Sequence, residues 1–170
     1  IPIMGEATST DFGSASVGAR VEREITLTNR GTKSLTVFSL ALFGTHPGEF
    51  DVPDAQFTIA PNDSYTFTAA FVPTTVLNKE VGDKSAQLVL THELTPFGST
   101  TTIPLFGRAL SPAIEVSRDR LEFGSVRLGL SATKKFSVTN VGNGTLSVNS
   151  VSATSPTVQI LPASFSLEPG

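Results

Sequence analysis

Apolar and polar residues alternate with a period of two along most of the chain, and no window carries a sustained helical stripe with caps. Tyr65, Phe67, Ala69 and Phe71 line one face of a segment whose other face is Thr66, Thr68 and Ala70. Ala86, Leu88, Leu90 and His92 repeat the pattern. The same reading predicts strands over 21–29, 34–42, 56–60 and 100–107. Turn residues punctuate them at Asn29-Arg30-Gly31, Pro47-Gly48, Pro61-Asn62-Asp63 and Val81-Gly82-Asp83. About six or seven strands at this spacing predict two facing sheets, an immunoglobulin-like sandwich with Phe12, Phe57, Tyr65, Phe67 and Phe71 sized for its core.

The pattern occurs more than once. Asp11-Phe12-Gly13-Ser14 returns as Glu122-Phe123-Gly124-Ser125, and Val17-Gly18 as Leu128-Gly129. Thr26 to Gly31 matches Ser137 to Gly142, and Leu35-Thr36-Val37 matches Leu146-Ser147-Val148. After a small shift, Phe57 to Pro61 matches Phe165 to Pro169. A repeat of this length is long enough to bury a core of its own, so the chain reads as tandem domains rather than a solenoid. The expected divisions are a complete domain over 8–109 and a second, truncated one over 110–170. Residues 1–7 resemble Ile103 to Ala109, and read either as the last strand of a preceding copy or as the first strand of copy one.

Composition sharpens the class without adding chemistry. There are twelve Phe, fourteen Gly, eleven Pro, no Trp and no Cys. Disulfides, thiolate metal sites and Cys nucleophiles are therefore excluded, and packing alone must hold the sheets. The formal net charge of −3 gives no general attraction to phosphate backbones. No apolar run reaches the length of a membrane-spanning helix. The expectation is a protein that binds neither nucleic acid nor membrane.

The ordered motifs resemble the Hydin-type immunoglobulin-like modules called ASH domains and the related bacterial choice-of-anchor D repeats. The residues that carry the likeness are Asp11 to Ser14, Val17-Gly18, Thr28 to Gly31, Leu35 to Val37, Pro61-Asn62, Phe71 to Pro73 and Leu105 to Gly107. Asn62 stands where such modules often have Gly, and the 73–83 loop is longer than usual. The resemblance implies a major-sperm-protein-like fold and no shared catalytic residues. It also implies either a ciliary or centrosomal scaffold in eukaryotes or a surface-anchored array in bacteria. The Ser/Thr/Gly texture leans towards the bacterial surface, with the cilium as alternative.

Candidate chemistry is sparse. Asp11-Phe12-Gly13 spells the kinase magnesium motif, but nothing else of that set accompanies it, so a buried Phe beside a turn Gly is the better reading. Asn29 and Asn140, each two residues before a Gly, read as turn residues bonding the backbone and leaving Gly31 and Gly142 free for positive φ. His46 and His92 have no third ligand at metal-like spacing. Glu49, Asp51 and Asp54 read as solvated loop charge rather than a calcium site. Lys134 and Lys135 read as solubilising charge beside a strand. No catalytic, cofactor or metal residue is expected. The loop residues His46, Glu49, Asp51, Asn78 and Lys79 are the expected contacts with protein partners, which include neighbouring copies of the module. Residues 110–170 lack a counterpart of the aromatic 65–71 strand and its successors, so an open core is expected there, completed by further chain or by a strand from a neighbouring molecule.

Overall fold

The computed structural model describes residues 10–74, 81–93 and 99–170. The chain divides into two compact units, Ile1–Leu110 and Ser111–Gly170. The boundary expected at residues 1–7 lies outside the described residues.

In the first unit the strands are β1 (Asp11–Ser16), β2 (Val21–Thr28), β3 (Leu35–Phe43), β4 (Phe50–Asp51), β5 (Phe57–Ile59), β6 (Ser64–Phe71), β7 (Gly82–His92) and β8 (Ser99–Leu110). They form a five-stranded sheet in the order β1-β8-β7-β3-β5 and a three-stranded sheet in the order β2-β6-β4. All pairings are antiparallel except β1 with β8, which is parallel.

The period-two pattern places the inner faces. Ile25 and Leu27 from β2, Phe67, Ala69 and Phe71 from β6, and Ala86, Leu88 and Leu90 from β7 are all buried together. Phe12, Phe50 and Phe71 pack as a triangle with ring centroids 5.1–6.3 Å apart, the geometry aromatic pairs prefer. Phe57 stacks on Tyr65 at 3.7 Å, and both are partly buried. Each fully buried Phe contributes about 1.5–3 kcal/mol. Phe50 is a core residue that the sequence pattern did not single out, because its strand is only two residues long. Outer faces carry cross-strand hydroxyl pairs, Thr26–Thr66 at 2.8 Å and Thr28–Ser64 at 2.9 Å.

The Asp11-Phe12-Gly13 motif is a bulge. The Gly13 N–H donates to the Asp11 carboxylate at 2.8 Å, Gly13 takes φ 74°, and the β1–β8 register shifts between Asp11 and Ser14. Phe12 is 1% exposed beneath it. Asn62 accommodates the missing Gly by adopting φ 62°, which Asn tolerates better than most side chains.

The second unit holds shorter ladders. Its strands are β9 (Ile114–Val116), β10 (Val138–Asn140), β11 (Leu146–Val148) and β12 (Phe165–Leu167), paired as β9–β10 and β11–β12. Residues 122–127 and 132–137, the counterparts of β1 and most of β2, form no strand.

Candidate interaction surfaces

Three features of the first unit bear on contact with other proteins. At one end, a 3-10 turn over Pro47–Glu49 leads into β4. His46 ties this turn to β7: its N–H donates to the Ser85 carbonyl at 3.0 Å, and its Nδ1 accepts from the Ser85 N–H at 3.3 Å. Glu49 is not a solvated loop charge. The turn aims it inward, where Oε1 lies 3.6 Å from Lys84 Nζ and Oε2 accepts from the Thr74 N–H at 3.1 Å. The Lys84 side chain is 1% exposed, so the pair is a buried ion pair braced by a backbone donor. Burial removes Glu49 from the contact surface expected for it.

Asp51 is exposed, as a contact residue must be, but it is engaged. Arg20 donates to Asp51 at 2.9 Å and to Glu22 at 2.8 Å. Glu22 and Asp51 both pair in register with Ala70, one from each side, so the guanidinium spans the central strand of the small sheet. These two acceptors raise the Arg20 pKa further above its ordinary value. Asn78 and Lys79 lie outside the described residues.

The second feature is the set of strand edges. Among the described residues, β2 ends the small sheet on one side and is the longest edge strand of the unit. Arg23 occupies an inward-phase position on it, in line with Ile25 and Leu27, and is exposed. An inward-pointing charge on an edge strand blocks further strand pairing. β1 carries the bulge, while β4 and β5 have two and three residues. Among the described residues, the edges of the two sheets are therefore short, bulged or charged.

The third feature is polar burial at the two ends of the β7 inner face. Lys84 occupies one end and His92 the other, both fully inside. His92 Nε2 hydrogen-bonds Thr101 Oγ1 at 2.8 Å, while its Nδ1 has no hydrogen-bond partner among the described residues. Burial lowers the His92 pKa, because the imidazolium would lose its hydration.

Both units share one side-chain device. Asn29 Nδ2 donates to the Lys33 carbonyl at 2.7 Å and to the Ile59 carbonyl at 3.0 Å, and its Oδ1 accepts from the Gly31 N–H. Asn140 does the same with Gly144 at 2.7 Å, Leu167 at 3.1 Å and Gly142. The expected turn role of the asparagines is thus realised, with an added cross-strand tie. Gly31 and Gly142 do not take positive φ, contrary to expectation. At Gly142 the reason is space, since a Cβ there would collide with the Ser111–Ala113 backbone.

The second unit exposes what the first hides. Phe123 is 41% exposed and Phe136 is 40% exposed, whereas Phe12 is 1% and Ile25 is 0% exposed at the matching positions. An open apolar groove of about 810 Å³ runs between Ile114, Val116, Phe136, Val148, Ile160 and Phe165, with Lys134 and Lys135 beside it. Among the described residues, no group of three or more His, Cys, Asp or Glu could hold a metal ion. Nor is any helix among them long and apolar enough to cross a membrane.

The family model for the HYDIN/CFA65/VesB-like Ig-like domain matches residues 3–107 and again residues 112–170. The chain belongs to this family. As HYDIN/CFA65/VesB-like domains in tandem, its two stretches account for the recurring left-handed glycine of Gly13 and Gly124 and the recurring asparagine, and the family places the chain among Ig-like interaction modules. The chain is 27% identical over 139 residues to "Cilia- and flagella-associated protein 65" of Chlamydomonas reinhardtii, a match covering 79% of the chain and 6% of that protein. The chain thus spans a small fraction of the length of this curated relative. Solved structures of like fold include PapD-like domain 7 of human CEP192, at TM-score 0.45 and 13% identity, covering 61% of this chain and 83% of that one. A protein of unknown function from Porphyromonas gingivalis W83 aligns at TM-score 0.49 and 15% identity, covering 98% of this chain and 78% of that one.

Proposed function

We propose that the chain is a non-catalytic scaffold segment of a cilium- or flagellum-associated protein, in which tandem Ig-like modules space and dock protein partners. The observation that carries this reading is the family match over both stretches together with the relation to cilia- and flagella-associated protein 65. It favours the cilium over the bacterial surface that the Ser/Thr/Gly texture suggests. The geometry is consistent with a scaffold role, because the first unit presents a sandwich whose described edges are short, bulged or charged and whose buried Glu49–Lys84 pair serves structure. Within it, the end bearing His46 and Asp51 is the proposed contact end, with the Glu49–Lys84 pair fixing the turn from inside.

Locating the tagged, full-length protein in its own cells tests the reading. Co-fractionation with axonemes or basal bodies is the expected result, and resistance to detergent extraction should accompany it. Recovery from a bacterial cell surface or culture medium would overturn it.

A further inference from the structure

Asparagine followed by glycine is prone to self-modification, since glycine's lack of a Cβ lets its nitrogen approach the asparagine side chain. The chain has six asparagines, and Asn143 alone precedes a glycine. At the matching positions of the first unit, offset by 111, stand Thr32 and Lys33, which cannot react this way. In the second unit the dipeptide is folded over Ser111. The Ser111 N–H donates to Asn143 Oδ1 at 2.7 Å, and the Ser111 carbonyl accepts from the N–H groups of Asn143 at 3.0 Å and Gly144 at 3.2 Å. Asn140 Nδ2 donates to the Gly144 carbonyl at 2.7 Å, and Gly144 is buried.

We propose that Asn143 is a latent isoaspartate-forming site, held unreactive by the Ser111 and Asn140 contacts and released when this loop opens. The reaction needs only water. Gly144 N gives up its proton and attacks Asn143 Cγ; an N–Cγ bond forms, the Cγ–Nδ2 bond breaks, and the side-chain nitrogen leaves as ammonia carrying that proton. Water then opens the succinimide ring, giving either an aspartate or an isoaspartate whose main chain runs through Cγ. In the closed loop Ser111 polarises Cγ, but the nucleophile is withheld. The Gly144 N–H is committed to the Ser111 carbonyl, and burial keeps solvent base away. The two products differ in effect. An aspartate keeps an oxygen for the Ser111 N–H. An isoaspartate adds a main-chain carbon to a loop with no spare room, since Gly142 abuts the Ser111–Ala113 backbone. The neighbouring bond from the Val141 N–H to the Ala113 carbonyl, 2.8 Å, is then lost. Conversion is thus a covalent record of loop opening. Ring closure is slow against opening and reclosing, so its rate follows the open population.

Timed incubation of the intact 170-residue chain near neutral pH tests this. Mass spectrometry of proteolytic fragments reads conversion at Asn143, and amide exchange reads opening at Gly144. A free peptide of residues 138–149 is the open reference. Conversion in the chain should be slower than in the peptide by about tenfold or more. Asn140→Ala should speed conversion and Gly144 exchange by the same factor, about tenfold. If that variant unfolds the unit, the two rates must still rise together. Chain carrying isoaspartate should exchange faster at Val141 than the Asn143→Asp variant. Equal conversion in chain and peptide would overturn the proposal, as would faster Gly144 exchange with conversion unmoved. So would a free peptide that stays unmodified, or an isoaspartate form that protects Val141 as well as Asn143→Asp does.

Discussion

The first and second units start from nearly the same sequence and end in different amounts of structure. Their local features agree. Gly13 and Gly124 take φ 74° and 65°, and Gly18 and Gly129 take 84° and 83°. The turn bond from Ala19 N–H to the Ser16 carbonyl, 2.9 Å, has its counterpart from Leu130 to Arg127 at 3.0 Å. The asparagine ties repeat atom for atom. Their ladders do not agree. β2 runs for eight residues where the second unit keeps three, and β3 for nine where it keeps three. Turns and side-chain caps arise from nearby residues, whereas a ladder needs a partner strand to take its N–H and C=O groups. Where β6, β7 and β8 pair with their neighbours the strands extend; among the described residues of the second unit no such pairing occurs, and equally β-prone sequence stays irregular.

The largest expected difference between the units concerns the buried ion pair, which only the first possesses among the described residues. Lys84→Met strands the Glu49 carboxylate indoors and should cost about 3–5 kcal/mol, while Lys84→Met with Glu49→Leu should recover most of it. Urea unfolding followed by Tyr65, the sole tyrosine in the chain, reports the first unit alone. No recovery in the double variant would mean that the pair does more than satisfy itself.

Phenylalanine truncation makes the contrast a direct one. Phe12→Ala should cost about 3–5 kcal/mol, as expected for a fully buried ring. Phe123→Ala, in the same motif but substantially exposed, should cost well under half as much. Equal costs would show that Phe123 is covered in solution. The asparagines should behave oppositely. Asn29→Ala and Asn140→Ala should each lose about 1–3 kcal/mol of local stability, because each leaves comparable buried backbone groups unpaired. Exchange rates at the amides of Gly31 and Gly142 would read this.

Histidine gives a smaller, pH-dependent difference. The folded-state pKa of His92 lies below the unfolded value of about 6.5. The unfolded chain therefore binds more protons than the folded one between these two pKa values. Stability is fully present above the unfolded pKa and declines as pH falls towards the folded pKa. Melting temperature of the first unit should drop on acidification from pH 7 to about 5. In His92→Leu that part of the slope should vanish, although the loss of the Thr101 bond lowers the plateau.

The sandwich was legible because β6 and β7 alternate so regularly that their inner faces can be read off the chain. Asn29 and Asn140 were legible because their chemistry is local. Glu49 was not, since its partners Lys84 and Thr74 come from distant segments, and no pattern around it distinguishes an inward carboxylate from a wet one. Phe50 escaped because a two-residue strand is too short to show an alternating pattern. His92 was placed on the right face, but the bond that accommodates it comes from Thr101 on the neighbouring strand. Gly31 and Gly142 were assigned the wrong role: at Gly142 the constraint is close backbone approach, which spacing does not encode.

Native-state hydrogen exchange across the intact chain compares the two units residue by residue. Slow exchange through β2, β3 and β6–β8, with 122–127 and 132–137 exchanging at nearly the rate of unstructured peptide, is the predicted outcome. Protection of 132–137 equal to that of 21–26, in a monomer with nothing added, would contradict the dependence of these strands on a supplied partner.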